Sequence, residues 1–349
     1  MVNKYKFRSS PPYSFIHFRI IATRCYEVVS MNRVRFGVVV VLDPEDNSRG
    51  RKHVKNILKF LSSLDSAYES AWMPDHFIPC IMPIYPNITE ESFSNDFLEC
   101  LTTTSYLLPL YPNLKFGQQV LGNNYRNPAL LAKMSSTLQM LSGGRFILGI
   151  GAGWYQEEYR QYGYEFSSNR TRIRQLEEAV QIIKMMWAED GVNFHGKHYR
   201  IENAYCNPKP EPAPPIMIGG GGEKYTLKVV ARYADWWNGA LLNVERWTHK
   251  LNVLANHCDD VGRDFNEILK TVSWGIALAD SDEEALKLAK HSQYYSKWTF
   301  IHGTPESVVS KIGELVDAGV EYFLLTFPQH QNYETQQLFA DEVIPELRT

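Results

Sequence analysis

The sequence has 349 residues, 44% of them hydrophobic and 21% charged, which is the composition of an ordered globular chain with a large core and excludes a disordered one. A formal charge of −3 with no long basic run argues against nucleic acid as the main partner, so small molecules are the expected ones. Five scattered cysteines without a C-x-x-C pair read as reduced thiols of a cytoplasmic enzyme, and no run approaches the length of about 18 apolar residues that a membrane span needs.

Residues 1–30 carry Lys4, Lys6, Arg8, Arg19 and Arg24 against Glu27, with an apolar run broken by His17 and Arg19. That is a poor targeting peptide. Because Met31 stands just before the first convincing strand, 1–30 reads as an extension ahead of the native start and 31–349 as one domain. Strand one is Val34 to Val41, a helix covers Gly50 to Leu64, and strand two, Ser70 to Met73, runs out into Asp75-His76-Phe77. A proline-containing loop with Tyr85 is expected over the mouth of the fold, then a helix from about Phe93 to Leu107 and strand three from Lys115 to Leu121. Pro128 opens the helical run Ala129 to Leu141, which Gly143-Gly144 stops. Strand four lies in Arg145 to Trp154, and a long helix from about Arg170 to Ala188 places Ile173, Leu176, Val180, Ile183 and Trp187 on one face.

Residues 189–213, rich in proline after Asn207, read as a hairpin or excursion inserted before strand five, Pro215 to Ile218. Gly219 to Gly222 follow, then a helix-like run from Glu223 to Tyr233. Strands six, seven and eight fall near 235–240, 269–279 and 322–327, with helices at 244–261, 281–292, 305–318 and 331–346. Eight strand–helix units of this kind define an α/β chain folded as a (β/α)8 TIM barrel with insertions, whose site belongs at the C-terminal ends of the strands.

Two strands end in glycine. Gly149, Gly151 and Gly153 make a G-x-G-x-G run without the spacing of a dinucleotide fingerprint, and Glu223 and Tyr225 around Lys224 break the ending of a P-loop. Both are tight turns of an α/β protein, or together they form one shared site. On the second reading, glycines followed by a helix N-terminus offer N–H donors to an anion, and Lys224 either adds charge there or faces solvent.

Asn124-Tyr125-Arg126-Asn127-Pro128-Ala129-Leu130-Leu131-Ala132-Lys133, Leu141-Ser142-Gly143-Gly144-Arg145, Gly149-Ile150-Gly151-Ala152-Gly153-Trp154, Asn207-Pro208-Lys209-Pro210 and Ala231-Arg232-Tyr233-Ala234-Asp235 together resemble the bacterial-luciferase-like oxidoreductases, the luciferase-like monooxygenase superfamily. The resemblance spans roughly residues 34–345 and points to the branch that uses the deazaflavin coenzyme F420, with FMN the alternative cofactor. It implies a barrel, often a homodimer, with a flavin-like ring across the mouth. Asp75 and His76 would lie at that ring, a cis peptide at Gln119–Val120 would back it, the turn Ala152-Gly153 with Trp154 beside it would contact the coenzyme, and Gly219, Gly220, Gly221 and Gly222 would receive its phosphate.

A deazaflavin carries hydride and reacts poorly with oxygen, so the implied activity is hydride transfer to or from a small organic alcohol, carbonyl or enone. The alternatives are an FMN-dependent monooxygenase and a barrel that only binds a flavin or deazaflavin. His76 is the candidate to move the proton, with Asp75 orienting a neighbour or accepting from the ring. Some relatives place a glutamate where this chain has Trp154, and an indole cannot supply an acidic proton. Glu157 and Glu158 follow and read as solvated helix carboxylates unless one turns back to the mouth. His195, His198 and Cys206 lack the further ligands of a metal site, Trp236-Trp237 read as barrel-wall packing, and His302-Gly303 as a turn before a helix capped by Thr304 and opened by Pro305.

Overall fold

In the computed structural model the apolar runs close into a barrel. It describes residues 34–42, 49–64, 66–82, 88–94, 96–240, 243–292, 294–296, 300–328 and 333–348; the extension 1–30 and the loop around Tyr85 lie outside them. Its strands are β1 (Arg35–Val39), β2 (Ser70–Met73), β3 (Lys115–Gln118), β4 (Phe146–Gly151), β5 (Ile216–Gly219), β6 (Trp236–Ala240), β7 (Leu269–Leu278) and β8 (Tyr322–Thr326). Each pairs in parallel with the next, and β8 pairs with β1 to close the ring.

Strands covered on both faces explain the near-continuous apolar runs. Val39, Trp72, Ile147, Met217, Tyr322 and Leu324 fill the barrel interior, while their neighbours Val38, Leu148, Ile216, Ile218, Phe323 and Leu325 belong to the cluster that includes the helices. The side-chain period of two sorts each strand into these layers. Local signals end the helices where the sequence places them. Asn127 Oδ1 accepts from Ala129 N and Leu130 N ahead of Pro128, and Gly143 ends that helix in the left-handed conformation at φ 65°. Thr304 caps the helix Pro305–Asp317 by accepting from Ser307 N.

Several boundaries differ from expectation. The helix expected from Phe93 starts at Cys100, because the Glu99 carboxylate accepts from Leu101 N and Thr102 N and fixes the N-terminus there. Strand three stops at Gln118; the bond Gln119–Val120 is cis, and Leu121–Gly122 then resumes pairing with β4. The helix after the glycine run begins at Thr226 rather than Glu223. Near the C-terminus a helix over Tyr333–Leu338 loosens into a π-turn at Phe339–Val343. His302 and Gly303 are strand rather than turn, since Phe300–Gly303 pairs with the outer end of β7, a run too short to read by pattern. Residues 189–213 do contain a hairpin, Val192–His195 with Arg200–Ala204, tied down by the Glu178 carboxylate, which accepts from the N–H groups of Lys197, His198 and Tyr199.

The adjacent tryptophans separate by strand alternation. Trp237 stacks on Trp247 at 4.8 Å, and Trp236 packs inside the barrel against Trp72 and Tyr322. No helix among the described residues is long and apolar enough to cross a membrane.

Candidate active site

The C-terminal ends of the strands open into a cavity of about 690 Å³. Its wall includes Asp75, His76, Gln119, Val120, Ala152, Gly153, Trp154, Gly219, Gly220 and Gly222, so the two glycine exits and the segment after β2 share one site. Gly221 is not on that wall. A smaller recess of about 190 Å³ adjoins it, walled by Val39, Val41, Phe97, Trp274 and Phe300 with Ser273 and Thr326. His76, Gln119, Trp154 and Ser273 border both spaces.

His76 is fixed from behind. Its Nδ1 lies 3.0 Å from Glu158 Oε1 and 3.3 Å from the Cys80 sulfur, and the Trp154 ring meets the imidazole edge-on at 5.6 Å. Glu158 is 1% exposed. Its Oε1 also accepts from Phe77 N at 2.8 Å, and its Oε2 from the Tyr125 hydroxyl at 2.7 Å. Burial alone disfavours an imidazolium, but the Cys80 sulfur and the Glu158 carboxylate favour it and raise the His76 pKa well above 6.5. Tyr125 is pushed upward by burial and then by the Glu158 charge, so it stays a hydroxyl donor.

Of the two candidate carboxylates, then, Glu158 turns inward, contrary to the solvated reading, while Glu157 stays outside and pairs with Arg160 and Gln161. Consecutive residues on the short helix Gln156–Gln161 point about 100° apart, so only one can face the mouth.

Asp75 has a different job. Arg126 holds its carboxylate in a two-pronged pair at 2.7 and 2.9 Å, Gly122 N adds a third hydrogen bond at 2.9 Å, and the guanidinium also reaches Glu99. Burial opposes the Arg126 charge, yet the two carboxylates raise its pKa above the ordinary value. Asp75 therefore anchors the chain just beyond the cis peptide, through a residue that the quoted Asn124–Lys133 motif contained without revealing its role.

The walls fit a flat ring with an anionic tail. Gly219 has no room for a side chain, since a Cβ there would stand 2.9 Å from Val120 Cγ1, and Gly153 turns the chain at φ 72°. Gly220 N donates to Asn238 O, so not every glycine of the run presents a free N–H. Missed by the sequence reading, Arg172 is 4% exposed and lines the same cavity. Among the described residues its guanidinium donates to neutral acceptors, Gly153 O, Ser167 O and Asn169 Oδ1, and lies 3.9 Å over the Phe166 ring, with no carboxylate partner. The periodicity did carry a sign of it: Arg172 lies four residues before Leu176, on the apolar face of the helix Asn169–Ala188.

The family profile described as luciferase-like monooxygenase matches residues 34–300. The chain belongs to that family. Among its relatives in the luciferase-like monooxygenase family is an F420-dependent glucose-6-phosphate dehydrogenase of Amycolatopsis mediterranei (strain U-32), 25% identical over 80% of this chain and 90% of its own length. An FMNH(2)-dependent dimethylsulfone monooxygenase of Pseudomonas putida is 26% identical over 72% of this chain and 78% of its own. In structure the fold is shared with an F420-dependent secondary alcohol dehydrogenase solved with an F420-acetone adduct, at TM-score 0.77, 18% identity, 91% of this chain and 100% of that one. Such relatives make this luciferase-like monooxygenase family member an enzyme of the oxidoreductase kind, and they include users of both cofactors.

Proposed function

We propose that this chain is a coenzyme F420-dependent oxidoreductase that moves hydride to or from a small, uncharged alcohol, carbonyl or enone. The observation that carries the reading is His76, backed by a buried carboxylate and standing between a large cavity with glycine walls and a small apolar recess. When bound, the deazaflavin would supply the two-electron hydride chemistry. Val120, Ala152, Gly153 and Trp154 would hold its ring, while Gly219, Gly220 and Gly222, with Arg172, would hold its phosphate. Gly221, set back from the wall, would act only in keeping the turn.

The protein's own part is to seat the substrate oxygen at His76. With Nδ1 committed to Glu158 and Cys80, the opposite nitrogen, Nε2, is the one that gives or takes the proton. Among the described residues no lysine or arginine lines the recess, so a neutral substrate fits it better than a sugar phosphate. Trp154 meets the imidazole edge-on at 5.6 Å and would position it against the ring.

A second reading, FMN with oxygen activation, is supported by the dimethylsulfone monooxygenase relative. Fluorescence titrations with oxidised F420 and, separately, with FMN divide the two. Tight binding of the deazaflavin alone is the expected result, and tight binding of FMN alone would overturn the proposal. We further propose a single-domain, cytoplasmic homodimer, with the mass in solution as its check.

A further inference from the structure

Three cations without a carboxylate partner among the described residues lie on the wall of the larger cavity or beside residues that line it. Arg172 is the buried one, on the cavity wall. Arg170 and Lys224 lie outside it, and both approach the same Tyr225 ring, each with its charge 5.6 Å from the centroid. Sequence neighbours tie this pair to the cavity, because Asn169 precedes Arg170, and Gly222 and Thr226 flank Lys224 and Tyr225; all three neighbours line the wall. Nearby acids are committed elsewhere: Glu223 to His249 and Lys250, Glu177 to Arg232.

Two like charges on one ring repel, and a buried guanidinium without a counter-charge is costly. The arrangement makes sense when an extended anion runs from the cavity outward. We propose that Arg170 and Lys224, together with Arg172, bind the polycarboxylate tail of the coenzyme. Coenzyme F420 carries glutamates beyond its phosphodiester, whereas FMN ends at a single phosphate. This assignment rests on the deazaflavin reading and deepens it, since the outer cations would have nothing to bind on FMN.

The test is a fluorescence titration of the full chain with F420 bearing a long oligoglutamate tail and with the form lacking glutamates. Wild type is compared with the double variant Arg170→Gln, Lys224→Gln at low and high ionic strength. At low salt the long-tailed form is expected to bind wild type about fivefold more tightly, the yield of a few exposed ion pairs. That advantage should vanish in the double variant and at high salt. Equal affinity for the two forms in wild type, or an advantage that survives the double substitution, overturns the tail assignment and leaves the deazaflavin reading standing. If FMN binds and neither deazaflavin does, both fall.

Discussion

Replacing Glu158 by glutamine removes a charge while nearly preserving a shape. The amide oxygen can still accept from Phe77 N and His76 Nδ1, and the Tyr125 hydroxyl can rotate to accept from the new NH2. What is lost is the preference for imidazolium. A hydrogen bond to a charged partner is worth about 1.5–3 kcal/mol and a neutral one about 0.5–1.5, so the His76 pKa should fall by roughly one unit. In the loaded enzyme reducing a carbonyl, the alkaline limb of the kcat profile should therefore move about one unit toward acid, with up to tenfold less rate on the alkaline side and little change below it. Stability follows the same group. Because the folded-state pKa is raised, the stabilisation is complete below about 6.5 and is lost as pH climbs through the raised value, so the Tm advantage of wild type over Glu158→Gln should shrink across that window. An equal loss of rate at every pH, with an unmoved limb, would refute the proposed dyad and leave Glu158 a purely structural ligand of the loop.

The remaining predictions separate anchors from contacts. Asp75→Asn should lower stability by about 3 kcal/mol, the small end of the cost of breaking a buried pair because Arg126 keeps Glu99; thermal or urea unfolding reads it, and an unchanged midpoint would show that the pair anchors nothing. Trp154→Ala changes a side chain that is 49% exposed, so stability should stay within about 0.5 kcal/mol while KM rises several-fold, and parallel losses of both would count against its place at the boundary of the two spaces. Gly219→Ala should weaken coenzyme binding at least tenfold with a modest stability cost, because its methyl would press Val120 toward the ring; an isothermal titration that shows wild-type affinity would remove Gly219 from the cradle.

Most of the barrel was legible because parallel strands and amphipathic helices carry their periods in the residues themselves. Pro128, Gly143 and Thr304 mark helix ends by local chemistry, and the structure puts the ends there. Where a partner remote in sequence decides, the sequence was silent. The Phe300–Gly303 strand exists because β7 extends to offer it an edge, and the inward turn of Glu158 depends on His76 and the Phe77 amide, some eighty residues away. Glycines at the two strand ends marked the cavity wall, because close approach excludes side chains, whereas Arg126 acts through a pairing with Asp75 that no single stretch of sequence contains.

The exchange of an acid for Trp154 then has a physical reading. A carboxylate at the cavity surface would sit beside an anionic coenzyme and raise the cost of binding it. Here the carboxylate stands four residues on, at Glu158, buried behind the histidine, where three donors hold it. The indole meets the imidazole edge-on at 5.6 Å. On the proposed function, the proton would travel through a group whose charge complements the coenzyme instead of opposing it. That arrangement favours substrates that need one proton at a single oxygen, which is the demand of an alcohol or a carbonyl.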